Sequence, residues 1–100
     1  MIKISIKKEE NNIFEVQISG HANYEEAGKD IVCASVSSIV ATSVNAIIRI
    51  NEESINYEEK DGFVKIEVKK QDPITNKLLE NMIELLNELA NDYKNYIKFK

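Results

Sequence analysis

Two pairs of short alternating segments, each pair followed by a long helical stripe, constrain the fold of this sequence more than any other feature. In the first pair, apolar side chains alternate with polar ones from Ile2 to Ile6 and again from Phe14 to Ile18. A period of two residues is typical of a strand with one buried face. The polar residues between these segments include turn-forming asparagine, so they predict a β-hairpin.

A second hairpin is predicted between Ile55 and Val68. Two further alternating segments flank Lys60-Asp61-Gly62 there, and Asp-Gly is a strong signal for a hairpin turn. Near the end of the sequence, Tyr96 to Phe99 predicts a short last strand.

Two helices are predicted, each opened by an aspartate. Asp30 precedes the helical stretch Ile31 to Arg49, and Asp72-Pro73 opens the second helix with a proline at its first position. The core stripes are Val32, Val36, Val40, Val44 and Ile47 in the first helix, and Leu78, Met82, Leu85, Leu86, Leu89 and Tyr93 in the second. Ile39 and Ile48 widen the first stripe, so we expect that helix to be buried on much of its circumference.

The predicted order of elements is therefore ββ-loop-α-ββ-α-β. A chain of 100 residues is long enough for one hydrophobic core but too short for two, so we expect residues 1–100 to form a single domain. Because each strand is apolar on one face only, we expect a two-layer α+β fold. Its mostly antiparallel sheet of about five strands carries both helices on one face.

Charge and cysteine content limit the partners and the compartment. The formal net charge of −4 argues against direct binding of nucleic acid, which favours a basic surface. A single cysteine excludes an intramolecular disulfide and fits a reducing compartment. The segment Met1 to Ile6 alternates instead of forming the apolar stretch of a signal peptide, and polar residues interrupt Ile31 to Ile50, so no membrane span is expected. We therefore expect a cytoplasmic protein.

The single cysteine, Cys33, falls in the first turn of the first predicted helix. Unpaired N–H groups and the positive end of the helix dipole favour a thiolate there over a thiol. We expect the same N–H groups to hold the oxyanion that forms when a thiolate attacks a peptide carbonyl. The only histidine, His21, lies in the preceding loop, where its imidazole is a candidate general base and acid. The pair predicts a cysteine hydrolase.

Three further residues are candidates for supporting this site. Gly20 permits an unusual backbone angle or a close approach beside the histidine. Asp30 either orients the imidazole or caps the helix, and its N-cap preference favours capping. Ser37, one turn after Cys33, either forms a hydrogen bond near the site or bonds back to the preceding turn, which is the favoured alternative.

Three stretches around these candidates resemble a known family. They are Gly20-His21-Ala22, the decapeptide from Gly28 to Ser37 that contains Asp-Ile-Val-Cys-Ala, and Ser43 to Ile48. Together they are similar to the Prp family, the ribosomal-processing cysteine proteases of bacteria. The resemblance extends through the order of elements over nearly the whole sequence. It implies that Cys33 is the nucleophile and His21 the base. The positions Gly20, Asp30 and Ser37 match as well and are implied to support the site.

The resemblance also implies a substrate and an assembly. The substrate is the short N-terminal extension of a large-subunit ribosomal protein of the L-twenty-seven family, whose removal permits ribosome assembly. A homodimer is implied, together with a mobile loop over the site from Ala22 to Lys29, in which Gly28 is a candidate hinge. No cofactor is expected, and one Cys with one His cannot complete a four-ligand zinc site without carboxylates from elsewhere.

Two alternatives from other classes stay open at this point. A non-catalytic, ribosome-associated protein-binding module would bury Cys33 as a small hydrophobic side chain and leave His21 as a surface residue of a loop. A redox-sensing thiol would react with peroxide and would not need His21.

Overall fold

The computed structural model describes residues 1–26 and 28–100. In chain order the elements are β1 (Ile2–Glu9), β2 (Asn12–Ser19), α1 (Ile31–Ile50), β3 (Ile55–Lys60), β4 (Phe63–Val68), α2 (Pro73–Asp92) and β5 (Ile97–Phe99). The order ββ-loop-α-ββ-α-β expected from the two hydrophobic periods is confirmed.

The five strands form one sheet in the order β3-β4-β2-β1-β5. Strands β1 and β2, β2 and β4, and β3 and β4 pair antiparallel, whereas β5 pairs parallel with β1. The mostly antiparallel α+β sheet is therefore confirmed. Antiparallel pairing of β2 with β4 sets Ser19 opposite Phe63, so the loop after β2 begins beside the β3–β4 turn.

One face of the sheet carries the apolar side chains. The register sets Ile4 opposite Ile18, Ile18 opposite Val64, and Val16 opposite Ile66. Because side chains alternate across a strand, these residues share one face, and they belong to the same core cluster as the buried stripes of α1 and α2. Both helices cover this face, as the alternating pattern predicts.

The stripe predicted for α1 is confirmed, since the buried residues of this helix are Val32, Val36, Val40, Val44 and Ile47. The expectation that α1 is buried on much of its circumference is wrong. Ile31, Ile48 and Ile50 are among the exposed large apolar residues, because a two-layer fold leaves the outer side of a helix uncovered. With a mean hydropathy of 2.0, α1 would pass as a membrane span by length and composition, but here it packs on the sheet as a core helix.

The stripe predicted for α2 is partly wrong. Its buried residues are Thr75, Leu79, Met82 and Leu86. Leu85 is 41% exposed, although the sequence places it in the stripe. Adjacent helical residues project about 100° apart, so only one leucine of a neighbouring pair can point into the core.

Candidate active site

Cys33 lies in the first turn of α1, as predicted, and its side chain is only partly buried. The backbone N–H of Ala22 donates to Cys33 Sγ across 3.4 Å. Ala22 is itself buried and directly follows His21. The loop after β2 therefore turns back over the start of α1 and brings the residue next to the histidine against the sulfur.

Asp30 caps α1, which was the favoured of its two predicted roles. Its Oδ1 accepts hydrogen bonds from the N–H groups of Val32 and Cys33, each at 3.0 Å, and its Oδ2 accepts from Tyr24 N–H at 3.0 Å. The N–H of Ala34 donates to the Asp30 carbonyl. These N–H groups of the first turn are thus already engaged, and the expectation that they hold the oxyanion is wrong for this arrangement.

The charge of Asp30 changes the electrostatics beside the sulfur. Burial raises the pKa of this carboxyl, but hydrogen bonds from Cys33, Tyr24, Glu25 and Val32 together outweigh that effect and hold the pKa below its usual value. The carboxylate is therefore ionised at neutral pH. It offsets part of the positive end of the helix dipole, so a thiolate here depends more on a cationic partner than the helix alone would indicate.

The backbone around His21 is held from two sides. Gly20 N–H donates to the Gly62 carbonyl across 2.9 Å, and the Met1 nitrogen donates to the His21 carbonyl across 2.6 Å. Gly20 has a φ of 93°, and a Cβ at this position would collide with the Met1 carbonyl oxygen. Both features expected of Gly20, the unusual angle and the close approach, are present.

The His21 side chain lies on the β3–β4 turn. Its Nε2 is 3.8 Å from Asp61 Oδ1, and a Cβ added to Gly62 would stand 2.9 Å from the same nitrogen. In the sequence, Asp61-Gly62 indicates only a hairpin turn, and the contact of Asp61 with the imidazole is not predicted. The signal that could have predicted it is an acidic residue in the hairpin turn before β4, because β4 pairs with the strand that ends just before the histidine.

Two adjoining cavities bring the candidate residues together. One has a volume of about 290 Å³, and both are lined by His21, Cys33, Ser37 and Asp61. The Ser37 side chain is exposed at this surface. Bonding back to the preceding turn is found at Ser35 and Ser43, and no such hydrogen bond of Ser37 is found among the described residues. The hydroxyl of Ser37 is thus free to contact a molecule in the cavity.

The predicted loop from Ala22 to Lys29 borders the second cavity through Asn23, Glu25 and Gly28. Lys29 N–H donates to the Glu26 carbonyl, and Gly28 has a φ of 88°. Ala27, which the loop prediction includes, lies outside the described residues. The loop is thus placed beside the site, while its mobility and the hinge at Gly28 stay predictions.

Tyr24 attaches this loop to the C-terminal part of the chain. Its ring meets Tyr93 edge-on with 5.6 Å between ring centroids, and Tyr96 in the same way at 5.0 Å. Tyr93 is the C-cap of α2, and Tyr96 directly precedes β5. We name these three residues the tyrosine cluster.

A lone thiol at a helix start, contacted by a backbone N–H and sharing a cavity with an imidazole, defines the class of Cys/His hydrolases on an α+β scaffold. The model of a protein family described as cysteine protease Prp matches residues 1–98. The chain belongs to this family of cysteine proteases, and the resemblance stated from the sequence is confirmed.

Individual relatives agree with this assignment. The chain is 33% identical over 102 residues to the ribosomal processing cysteine protease Prp of Staphylococcus aureus (strain Mu50), covering 98% of this chain and 96% of the relative. It is 32% identical over 106 residues to the protein of the same name from Bacillus subtilis (strain 168), covering 98% and 95%.

Solved structures extend the similarity to the fold. The S. aureus protease Prp in complex with a covalently linked product peptide superposes with a TM-score of 0.91 at 30% identity, covering 100% of both chains. The same protease with a substrate peptide gives 0.86 at 28% identity, covering 100% of this chain and 98% of the other. Membership of a protease family removes the support for the two non-hydrolytic alternatives.

Proposed function

We propose that this cysteine protease removes the N-terminal extension of a large-subunit ribosomal protein of the L-twenty-seven family, with Cys33 as nucleophile and His21 as general base and acid. The observation that carries the proposal is the arrangement of a partly exposed Cys33 at the start of α1, with Ala22 N–H on its sulfur and His21 in the same cavities. The relatives that share the family are named for ribosomal processing.

The first half of the proposed reaction is acyl transfer to sulfur. The Cys33 thiolate attacks the scissile carbonyl carbon, an S–C bond forms, and the carbonyl oxygen becomes an oxyanion. Because Asp30 occupies the first-turn N–H groups, we assign the oxyanion to Ala22 N–H, which already lies at the sulfur. Collapse of this intermediate breaks the C–N bond, and protonated His21 gives its proton to the departing amine.

The second half hydrolyses the thioester. Neutral His21 takes a proton from water, the resulting hydroxide attacks the thioester carbonyl, and the C–S bond breaks. The products are the Cys33 thiolate, a protonated His21 and the carboxylic acid of the removed extension, which releases its remaining proton to solvent as a carboxylate. That a relative's structure holds a covalently linked product peptide is in keeping with a covalent enzyme intermediate.

The expected assembly is part of this proposal. A groove runs between α1 and β3, and its lining includes Ala41, Asn45, Ile48 and Arg49 of α1 and Tyr57 of β3. Ile48 is 38% exposed there, although it is apolar. We propose that a second copy of this chain covers the groove. Ile48→Lys should then give monomers in analytical ultracentrifugation where the parent gives dimers, with Lys77→Glu on α2 as the charge-changing control that stays dimeric.

Cytoplasmic location and the absence of direct nucleic-acid binding also belong to the proposal. A single cysteine and a net charge of −4 support them. Cell fractionation followed by immunoblotting tests the location, and recovery of the protein with the membrane fraction after a high-salt wash would contradict it.

The decisive experiment is incubation of purified protein with the precursor ribosomal protein, followed by intact-mass spectrometry. The parent should release the N-terminal extension, and Cys33→Ala and His21→Ala should not, while circular dichroism of both variants stays unchanged. Ser35→Ala, on the same helix but bonded back to Ile31, is the control that keeps activity. Cleavage by Cys33→Ala at the parent rate would overturn the assignment.

A further inference from the structure

We propose that Asp61 and Gly62 in the β3–β4 turn form the positioning element for His21, with the Asp61 carboxylate holding the imidazole through Nε2 and Gly62 providing the surface on which the ring lies. This inference rests on the proposed role of His21 as base and acid. It assigns the orienting role, which the sequence offered to Asp30, to a residue that is distant along the chain.

Asp30 and Glu59, two of the other acidic residues that line the cavities, are engaged elsewhere. Asp30 accepts backbone N–H groups of α1 and of the loop. Glu59 accepts a hydrogen bond from the Tyr57 hydroxyl at 2.9 Å. Asp61 Oδ1 lies 3.8 Å from His21 Nε2, and within the described residues no other carboxylate oxygen comes within 4.0 Å of a nitrogen of this ring.

The backbone explains why the turn stands beneath the imidazole. Pairing of β2 with β4 ends at Ser19 and Phe63, and Gly20 N–H then donates to the Gly62 carbonyl. The turn is thereby fixed to the residue that precedes His21. Gly62 has a φ of 71°, and an added Cβ would stand 2.9 Å from Nε2 and 3.5 Å from the two neighbouring ring carbons. A larger residue here would displace the ring.

This contact assigns roles to the two ring nitrogens. At 3.8 Å the two atoms form a charge contact and not a hydrogen bond, and the negative charge of the carboxylate beside Nε2 favours a proton on that nitrogen. Nδ1 is then the nitrogen that exchanges a proton with the Cys33 thiol, with the leaving amine and with water. Asp61 acts through His21 and touches no reacting atom, so it is a positioning residue.

The exposure of the pair limits the size of its effect. The side chains of His21 and Asp61 are 55% and 99% exposed, and water and salt weaken such a pair. We expect Asp61→Asn to lower kcat about two- to fivefold at low salt without changing KM, because exposed ion pairs contribute little and the turn does not need the charge. The same reasoning predicts that raising the salt from about 0.05 M to about 0.5 M reduces the ratio of parent to Asp61→Asn kcat toward one.

The test compares four variants with the parent. Asp61→Asn removes the charge, Asp61→Glu restores it, and Gly62→Ala places a methyl group against the ring. The matched control is Glu58→Gln, which removes the same charge three positions away, from a side chain that pairs with Lys60 at 3.6 Å. The readouts are kcat and KM on a peptide spanning the extension junction, and the rate of Cys33 alkylation by iodoacetamide at neutral pH.

The expected result has three parts. Asp61→Asn and Gly62→Ala lower kcat and the alkylation rate together, Asp61→Glu recovers most of both, and Glu58→Gln matches the parent. Thermal melting separates misfolding of Gly62→Ala from ring displacement, and Asp61→Asn carries the test where Gly62→Ala is unstable. If Asp61→Asn and Glu58→Gln give equal kcat and equal alkylation rates at low salt, the inference is overturned.

Failure of this inference is distinguishable from failure of the proposed function. Suppose that Cys33→Ala and His21→Ala abolish cleavage, but that Asp61→Asn and Glu58→Gln give equal kcat and equal alkylation rates. This result rejects only the positioning role. Full cleavage by His21→Ala rejects the proposed function and the inference together.

Discussion

The backbone N–H of Ala22 and the sulfur of Cys33 are joined by a hydrogen bond of 3.4 Å across the gap between a loop and a helix start. This contact relates the position of the loop to the reactivity of the thiol, because the loop supplies a donor that the capped helix does not. A displaced loop would remove the donor and move His21 at the same time.

The first prediction isolates this N–H group. Replacing the amide between His21 and Ala22 by an ester, through chemical synthesis of the chain, deletes one donor and leaves every side chain in place. We expect kcat to fall about 100-fold or more, the loss typical of one oxyanion donor. Ala22→Gly keeps the N–H and serves as control in the same peptide-cleavage assay. An ester analogue as active as the control would mean that another group stabilises the oxyanion.

The second prediction concerns the tyrosine cluster. Tyr24→Ala removes both edge-on contacts with Tyr93 and Tyr96, each of which contributes about 0.5–1.5 kcal/mol. We expect faster amide hydrogen exchange in the loop and little change in the sheet, since the cluster attaches the loop and not the core. Tyr24→Phe keeps the ring and should exchange like the parent. Unchanged exchange of the Lys29 amide in Tyr24→Ala would contradict the attachment.

The third prediction concerns acid stability. Asp30 and Asp72 cap the two helices, and the folded protein holds the pKa of each carboxyl below its usual value. For Asp30, burial opposes the N–H donors that lower the value, whereas for Asp72 the Thr75 N–H and hydroxyl dominate. A carboxyl with a lowered folded pKa contributes stability that is fully present above its unfolded pKa and is lost as the pH falls through the folded value.

We therefore expect the free energy of unfolding in urea to fall steeply below about pH 4. The double variant Asp30→Asn, Asp72→Asn keeps two capping side chains that do not titrate, so its decline between about pH 5 and pH 2 should be shallower. Asp92→Asn is the control, because it lies at the other end of α2. If the free energy of unfolding falls equally with pH in the parent and in the double variant, other groups govern acid unfolding.

The fourth prediction concerns Tyr57 at high pH. Burial, followed by the hydrogen bond and the charge of Glu59, raises the pKa of Tyr57 to about 12. An acid with a raised folded pKa contributes stability that is present below its unfolded pKa of about 10 and is lost as the pH rises through the folded value. Absorbance near 295 nm should thus show a tyrosine that titrates late.

Two variants identify that residue. Tyr57→Phe should remove the late phase of the titration. Glu59→Gln should lower its midpoint only in part, since burial is the larger cause. A late phase that survives in Tyr57→Phe would assign it to another tyrosine.

Local patterns predicted most of the fold because its elements follow hydrophobic periods that depend on neighbouring residues. The stripe of α1 and both hairpins are examples. Leu85 was misplaced because two adjacent leucines satisfy the same period, and packing decides which one is buried. The exposed outer side of α1 was missed because composition does not reveal how many layers cover a helix.

The candidate site was predictable as far as its chemistry is local. Cys33 and its cap, Asp30, lie within one helical turn, and His21 is the only imidazole in the sequence. The contact of His21 with Asp61 depends on the pairing of β2 with β4, which joins segments that are far apart in the chain. The engagement of the first-turn N–H groups by Asp30 was also missed, because the sequence does not show which donors remain free after the cap has formed.

The position of the β3–β4 turn beneath the imidazole has a consequence for biosynthesis. A nascent chain that has been translated only through α1 already carries its sulfur and its imidazole, but β4 has not yet joined β2 to bring Gly62 against the loop. The site as we propose it is therefore completed only when the central strand pair of the sheet forms. We therefore expect proteolytic activity to arise only after β4 has been synthesised and paired with β2.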